Sequence, residues 1–254
     1  MKDKTTQEGP WGSTKFLPKG LIILHEDNDI LVINKPSGLL TMGTDAEKTK
    51  TAFFALNSYV RKGVAKSTKR VYIVHRLDRD TSGVIVFAKS EKAKLTLQDN
   101  WQDTEKKYLA IVHGRCEKQQ DTLSGYLAEN TAHKVYSTQD AKKGKLAQTA
   151  YTVLKELKEF SLLEVALLTG RKHQIRVHLA EIGHPVVGDR KYGNGQDPWK
   201  YLALHAFSLT LKHPFNGREM TFQYEPPGHF RALLGGTAWD AAPAAERSQS
   251  GNIP

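Results

Sequence analysis

The stretch that decides the fold is residues 71–88, Val-Tyr-Ile-Val-His-Arg-Leu-Asp-Arg-Asp-Thr-Ser-Gly-Val-Ile-Val-Phe-Ala. Two apolar runs of strand length flank a polar loop, His75–Gly83, which predicts two strands joined through that loop. The loop holds five ionisable groups within six positions, from His75 to Asp80. Its turn-forming residues favour a structural turn, whereas its density of charge favours a functional site, and both interpretations remain open at this point.

Outside this stretch, apolar segments of strand length recur along the chain. Strands are predicted at 29–34, 108–112, 150–154, 161–168, 204–211 and 220–224, the last four forming two antiparallel hairpins. Helices are predicted at 49–62, 90–101 and 172–182, where Ile175, Leu179 and Ile182 have the spacing of one helix face. This order predicts an α+β fold, a single domain around a large mixed, mainly antiparallel sheet with flanking helices.

The length of 254 residues suits one domain with a substantial core. Residues 1–19 and 237–254 are predicted to be a flexible lead-in and tail around a domain at 20–236. No apolar run approaches the roughly 20 residues of a membrane-spanning helix, and no signal peptide is evident, so a cytoplasmic protein is expected. Cys116 is the single cysteine, which excludes an intramolecular disulfide and favours a buried apolar role.

The charge balance favours a polyanionic partner. The formal net charge is +10, with 37 Lys and Arg against 27 Asp and Glu. Residues 41–70 hold seven basic residues against two acidic ones, and Lys134, Lys142, Lys143 and Lys145 form a second basic group. Either group is typical of a surface that follows phosphates or of a solvated face that serves solubility.

A second cluster of polar residues, Thr169–His178, lies where a strand is predicted to end and a helix to begin. Arg171, Lys172 and His173 near a helix N-terminus suit a phosphate, although a solvated basic face is the alternative. A metal site is the weaker interpretation, because His173 and His178 do not share a helix face.

The run His75-Arg76-Leu77-Asp78, followed by Thr81-Ser82-Gly83, resembles the central motif of the RluA-type pseudouridine synthases. Four further segments agree in order: 34–39, 107–110, 170–179 and 188–193, with Leu204-His-Ala after the last. The resemblance covers about Leu21 to Pro226. It implies the catalytic domain of an RNA pseudouridine synthase without the S4-type RNA-binding module that many relatives carry. More of the RNA recognition then falls to the catalytic domain itself.

The resemblance implies that Asp78 is the catalytic carboxylate. A carboxylate can both support positive charge at C1′ of the ribose and add to it covalently. Whether Asp78 attacks C1′ or removes the 2′ proton to give a glycal remains open. Arg176 matches the cation that keeps this carboxylate ionised, and Tyr108 matches the tyrosine that stacks on the uracil.

The resemblance also implies that the target uridine leaves its stack, and Arg76 matches the residue that fills the gap. His75, Arg171 and His173 are further candidates for RNA binding. Lys35, Thr81 and Leu204 are candidates for shaping the pocket. Asp80 is either a second acid or the cap of the turn, and the turn formers beside it favour the cap.

The expected partner is RNA, either ribosomal or transfer RNA, bound by a monomer. Neither a cofactor nor a metal is expected, because the isomerisation is redox-neutral and transfers no group from a donor. Two other functions stay open: an RNA-binding or RNA-folding protein on the same scaffold, and an N-glycoside hydrolase acting on free nucleosides. The net charge of +10 disfavours the hydrolase.

Overall fold

The computed structural model describes residues 16–62, 64, 66–193, 195 and 197–236. The predicted tail at 237–254 and most of the predicted lead-in at 1–19 lie outside the described residues. No helix in the described part of the chain is long and apolar enough to cross a membrane.

The elements, in chain order, are β1 Ile22–Glu26, β2 Ile30–Lys35, α1 Ala52–Val60, β3 Tyr72–Ile73, β4 Ser82–Ala88, α2 Glu91–Asp99, β5 Glu105–His113, β6 Gln120–Glu129, β7 Val135–Thr138, β8 Lys145–Glu156, β9 Phe160–Leu167, α3 Gln174–Glu181, β10 Leu204–Lys212, β11 Glu219–Gln223 and α4 Gly228–Leu233. The strands form one sheet of 11 strands in the order β1-β2-β4-β10-β5-β9-β8-β6-β7, with β3 pairing β4 and β11 pairing β10. The predicted α+β fold around a large mixed sheet is thereby confirmed.

Both faces of the sheet are covered near its centre. In β2, Ile30 and Val32 pack into one hydrophobic cluster while Leu31 and Ile33 pack into another, as the alternation of side chains along a strand requires. Helix α2 covers the first face and helices α1, α3 and α4 cover the second. Because β2 and β4 are buried on both faces, their sequences read as continuous apolar runs.

One parallel pairing makes the sheet mixed, and it lies next to the charged loop. The start of β4 pairs the start of β10, with His205 opposite Ser82 and Ala206 opposite Gly83. Gly83 has a φ of +119°, and a Cβ there would lie 2.2 Å from the carbonyl oxygen of Ala206. Only glycine permits this close approach, which places the end of the charged loop beside Leu204.

The predicted helices form within a few residues of the predicted bounds. Helices α1 and α2 each begin after a capping hydroxyl, Thr51 and Ser90, whose oxygen accepts a backbone N–H of the first turn. In α3, Ile175 and Leu179 are buried as predicted, whereas Ile182 is 37% exposed. Ile182 caps the C-terminus of α3, one residue beyond the last helical residue Glu181. Cys116 is buried, as predicted.

Candidate active site

The backbone around Asp78 is held by the segment that follows β2. The Thr41 hydroxyl donates to the carbonyl oxygen of Leu77 at 2.8 Å, and the Leu77 N–H donates back to the same hydroxyl at 3.2 Å. The Gly38 N–H donates to the carbonyl oxygen of Arg79 at 2.9 Å. Asp78 thus lies between two residues whose backbone groups are fixed, which gives its own backbone a defined position.

Lys35 fastens the same two segments from inside the protein. The side chain is fully buried, and its Nζ donates to the carbonyl oxygens of Pro36, Leu39 and Arg79 at 3.1, 2.7 and 3.0 Å. Burial lowers the pKa of Lys35 to about 7, against the opposing charges of Asp80 and Asp78. Lys35 therefore acts behind the loop and lines neither cavity described below.

Arg176 reaches Asp78 from helix α3. Its Nη1 lies 3.3 Å from Oδ2 of Asp78, while Nε and Nη2 donate to the two oxygens of Asp189 at 2.7 and 2.8 Å. Burial opposes the charge on Arg176, but the Asp189 hydrogen bonds and charge, followed by Asp78, raise its pKa. Since Asp189 fixes the guanidinium by a bidentate contact, Arg176 presents one N–H to Asp78 in a constant orientation.

His173 lies on the same side of Asp78. Its Nε2 is 3.7 Å from Oδ2 of Asp78, and its Nδ1 is 2.7 Å from the hydroxyl of Tyr192. Burial lowers the pKa of His173; Asp78 opposes this, while Arg176, Lys191 and Lys172 add to it. The imidazole is thus biased towards its neutral form although it faces a carboxylate.

One side of Asp78 opens into a cavity of about 440 Å³, which we call the aromatic cavity. Tyr108, Trp101, Thr81 and Leu204 line it. Burial, followed by the charge of Asp78, raises the pKa of Tyr108, so its phenol stays protonated near neutral pH. A planar ring that enters this cavity meets an aromatic side chain and a leucine within reach of the carboxylate.

Two further residues of the aromatic cavity pack against Trp101. The ring of His75 lies 4.4 Å from the Trp101 ring, and its Nε2 accepts the Val86 N–H. Burial lowers the pKa of His75 to about 3, so it is neutral. Lys106 donates from Nζ to the Trp101 carbonyl oxygen at 3.2 Å, and burial lowers its pKa.

The other side of Asp78 opens into a cleft of about 600 Å³, which we call the cationic cleft. Its cationic side chains are Arg76, Arg79, Lys172, Arg176, Arg190, Lys191 and Lys200, against the acidic Asp78 and Asp80. Tyr201, which is 49% exposed, also lines it, and Lys200 lies 5.4 Å from the centre of the Tyr201 ring. The cleft therefore suits an anion that carries a planar group, such as a nucleotide.

The remaining predicted residues lie around these cavities. Arg76 is exposed, and its Nη1 is 3.8 Å from the Met42 sulfur. Arg171 is exposed and donates from Nε to the carbonyl oxygen of Leu146, while Lys172 pairs with Glu129. Within the described residues, the Asp80 carboxylate makes no recorded hydrogen bond, and the bond that fixes this turn is from the Ser37 hydroxyl to the Asp80 carbonyl oxygen at 2.8 Å.

Sequence reasoning missed the roles of Asp189 and Tyr192. Both belong to the segment Gly188–Gly193, which the motif comparison singled out without a role for any residue. Their importance depends on contacts with helix α3, at separations of 13 and 19 residues. The sequence signal for Asp189 was its place in a recognised motif. A buried arginine needs an acidic residue nearby to neutralise its charge, and the motif supplies one.

Comparison with known proteins agrees with the fold and with the motifs. A family model for RNA pseudouridylate synthase matches residues 29–181. An uncharacterised RNA pseudouridine synthase of Aquifex aeolicus is 38% identical over 226 residues, covering 83% of this chain and 71% of the relative. Ribosomal large subunit pseudouridine synthase D of Nitrosomonas europaea is 37% identical over 228 residues, covering 84% and 64%.

A solved structure also matches. Human RNA Pseudouridylate Synthase Domain Containing 4 has a TM-score of 0.69 and 26% sequence identity, covering 84% of this chain and 92% of that structure. Fold, site and relatives thus define an isomerase that acts on RNA. The chain belongs to the RNA pseudouridylate synthase family, whose members convert uridine in RNA to pseudouridine, and the resemblance found in the motifs is confirmed.

Proposed function

We propose that Asp78 is the reacting group of this pseudouridine synthase, acting on a uridine of structured RNA. The observation that carries the proposal is the position of its carboxylate between the aromatic cavity and the cationic cleft. Arg176 lies against Oδ2, and among the described residues no partner is recorded for Oδ1. Oδ1 is therefore the oxygen available to a substrate.

The two cavities suit two parts of a nucleotide. The uracil enters the aromatic cavity, where Tyr108 provides a stacking surface, and the phosphates on either side of the target remain in the cationic cleft. C1′ of the ribose then lies near Asp78. Arg76, at the mouth of both cavities, is positioned to occupy the gap that the flipped base leaves.

The reaction conserves all atoms of the nucleotide. The bond between N1 and C1′ breaks, with Asp78 either adding to C1′ or removing the 2′ proton. The detached uracil turns and bonds to C1′ through C5, as Asp78 either leaves C1′ as a carboxylate or returns the proton to C2′. C5 then loses its proton and N1 gains one. A site that excludes water favours this course over hydrolysis, and the half-buried Asp78, at 24% exposure, meets that need once RNA covers the cleft.

The proposed substrate is ribosomal RNA, transfer RNA, or both through a shared stem-loop. The similarity to a ribosomal large subunit pseudouridine synthase supports the ribosomal choice. We further propose that residues 20–236 form one catalytic domain that acts as a monomer in the cytoplasm.

The experiment that tests the proposal is the release of tritium from RNA labelled at uridine C5, with ribosomal and transfer RNA transcripts in parallel. We expect wild type to release tritium and Asp78→Asn to lose at least about 10⁴-fold in rate, as removal of a covalent catalyst does. The matched control is Asp80→Asn, which removes a neighbouring carboxylate of equal charge and should stay within about 5-fold of wild type.

RNA affinity, measured by filter binding, should be nearly equal for all three proteins. Equal tritium release by Asp78→Asn and wild type contradicts the role of Asp78. If no RNA yields tritium while binding is intact, the RNA-binding function replaces the catalytic one.

A further inference from the structure

The segment Gly188–Gly193 carries two side chains that orient groups facing Asp78. Asp189 holds Arg176 by its two oxygens, and it also accepts the backbone N–H groups of Lys191 and Tyr192 at 2.9 and 3.1 Å. The Tyr192 hydroxyl contacts His173, and its ring lies 5.1 Å from the Arg176 guanidinium carbon. One short segment therefore positions both groups that approach Oδ2 of Asp78.

The hydrogen bonds of Tyr192 favour one of the two neutral forms of His173, the one in which the Tyr192 hydroxyl proton has an acceptor. The Tyr192 hydroxyl oxygen accepts the N–H of Val135 at 3.1 Å, which leaves the hydroxyl proton free to be donated to Nδ1 of His173 at 2.7 Å. Nδ1 is then an acceptor, so the neutral ring carries its proton on Nε2. This tautomer places an N–H opposite the Asp78 carboxylate, whereas the other would place a lone pair there.

The backbone of His173 supports a specific role for its side chain. His173 has a φ of 55°, in the left-handed region that non-glycine residues seldom adopt, and its side chain does not cap the helix that it precedes. The side chain is 13% exposed and points inward between Tyr192 and Asp78. A ligand for RNA phosphates would be more exposed, as Arg171 is.

We propose that His173, oriented by Tyr192, is a positioning residue for Asp78, whose Oδ2 it holds through Nε2–H so that Oδ1 faces the ribose. Arg176 contacts the same oxygen at 3.3 Å, and the proposal includes a shortening of the 3.7 Å separation between Nε2 and Oδ2 when substrate binds, as catalytic hydrogen bonds often shorten. This inference rests on the proposed role of Asp78. It replaces the expectation, drawn from sequence, that His173 contacts RNA.

The test compares two amides at position 173. In His173→Gln the side-chain nitrogen occupies the place of Nε2 and keeps a donor for Asp78, whereas in His173→Asn the side chain reaches only the place of Nδ1. We expect the single-turnover rate of tritium release to fall about 10- to 100-fold for His173→Asn and less than about 5-fold for His173→Gln. Tyr192→Phe, which keeps the ring over Arg176, should lose about 10-fold.

RNA affinity separates positioning from RNA binding. For all three variants the dissociation constant should stay within about 2-fold of wild type, because His173 contributes no phosphate contact. A weaker affinity with an unchanged saturating rate overturns the proposal in favour of a phosphate ligand. Equal losses for His173→Gln and His173→Asn overturn it in favour of a packing role, once thermal unfolding has shown both variants to be folded.

A second measurement keeps this test separate from the test of Asp78. Nitrogen-15 NMR of the imidazoles in wild type should show His173 protonated at Nε2, and Tyr192→Phe should change its tautomer balance. Protonation at Nδ1 in wild type overturns the positioning role. This measurement needs no turnover. It therefore tests the orientation of His173 even if wild type and Asp78→Asn are equally inactive on every RNA, a result that would contradict the proposed function.

Discussion

The aromatic cavity and the cationic cleft share Asp78 as part of their common wall, yet they differ in chemistry. The aromatic cavity has a volume of about 440 Å³ and combines Tyr108, Trp101 and Leu204 with five cationic side chains, of which Arg76, Lys172 and Arg176 also line the cleft. The cationic cleft has a volume of about 600 Å³ and holds seven cationic side chains against two acidic ones. The aromatic side chains of the first suit a flat group, whereas the larger number of cations in the second suits a flexible anion.

The difference separates two tasks that a modifying enzyme performs on RNA. Phosphate contacts supply affinity without discrimination among bases, and contacts with an extruded base select what reacts. Substitutions in the aromatic cavity should therefore change the rate of the chemical step, and substitutions in the cationic cleft should change affinity and its dependence on salt.

The largest effect is expected in the aromatic cavity. Tyr108→Leu removes the stacking surface, and we expect the single-turnover rate at saturating RNA to fall about 10- to 100-fold. RNA affinity should remain within about 2-fold, because the phosphate contacts persist. Tyr108→Phe, the control, keeps the ring and measures what the hydroxyl contributes. If Tyr108→Leu loses RNA affinity by the same factor as it loses rate, the aromatic cavity also contributes to RNA binding. The two cavities then do not have separate tasks.

A smaller effect is expected in the cationic cleft. The double variant Arg190→Gln and Lys200→Gln removes two exposed cations, so we expect RNA affinity to fall about 10-fold at moderate salt, with the salt slope reduced by about 1.5. Binding curves at several salt concentrations measure both. The matched control, Lys158→Gln and Arg115→Gln, removes two exposed cations near the opposite end of β9 from the site. An equal loss in the control shows that net charge alone attracts RNA.

The smallest effect concerns Lys35, whose buried side chain binds the backbone of the loop that carries Asp78. Its pKa is about 7 in the folded protein and 10.5 in the unfolded chain, so the unfolded chain binds more protons between these values. Stability should therefore rise with pH, by about 1 kcal/mol from pH 7 to pH 8 on account of this group.

Urea unfolding at these two pH values, with Lys35→Met as reference, measures the contribution of Lys35. Wild type should gain about 1 kcal/mol more than the variant over the interval. If both proteins gain the same free energy of unfolding, other groups cause the rise. The pKa of Lys35 is then not lowered by burial in the folded protein.

The regular elements were predictable where periodicity is strong. The buried strands β2 and β4 follow continuous apolar runs in the sequence, and the hairpin β8–β9 contains the two apolar segments 150–154 and 161–168. Strand β6 escaped prediction because its residues alternate between exposed and half-buried, with Gly125 and several polar side chains, and pairing with β8 stabilises it. Helix α4, at six residues, is too short for a helical period to be recognised.

The candidate site was predictable only in part. Asp78, Tyr108 and Arg176 are identified by the motifs that contain them, and the structure brings all three to one wall. His75 and His173 were expected to contact RNA, which stays a prediction: both line cavities beside Asp78, while their rings also contact Trp101 and Tyr192. Local sequence does not reveal where a side chain points when its partners lie on distant segments.

By itself the sequence determined the family, the central sheet and the identity of the charged loop, because these depend on local patterns of apolar, turn-forming and ionisable residues. Only the tertiary structure decided which of those residues act together. Arg176 meets Asp78 across 98 positions of the chain, and His173 contacts the hydroxyl of a tyrosine 19 positions away. Such contacts arise from the pairing of β4 with β10 and the packing of α3, and both depend on the whole sheet.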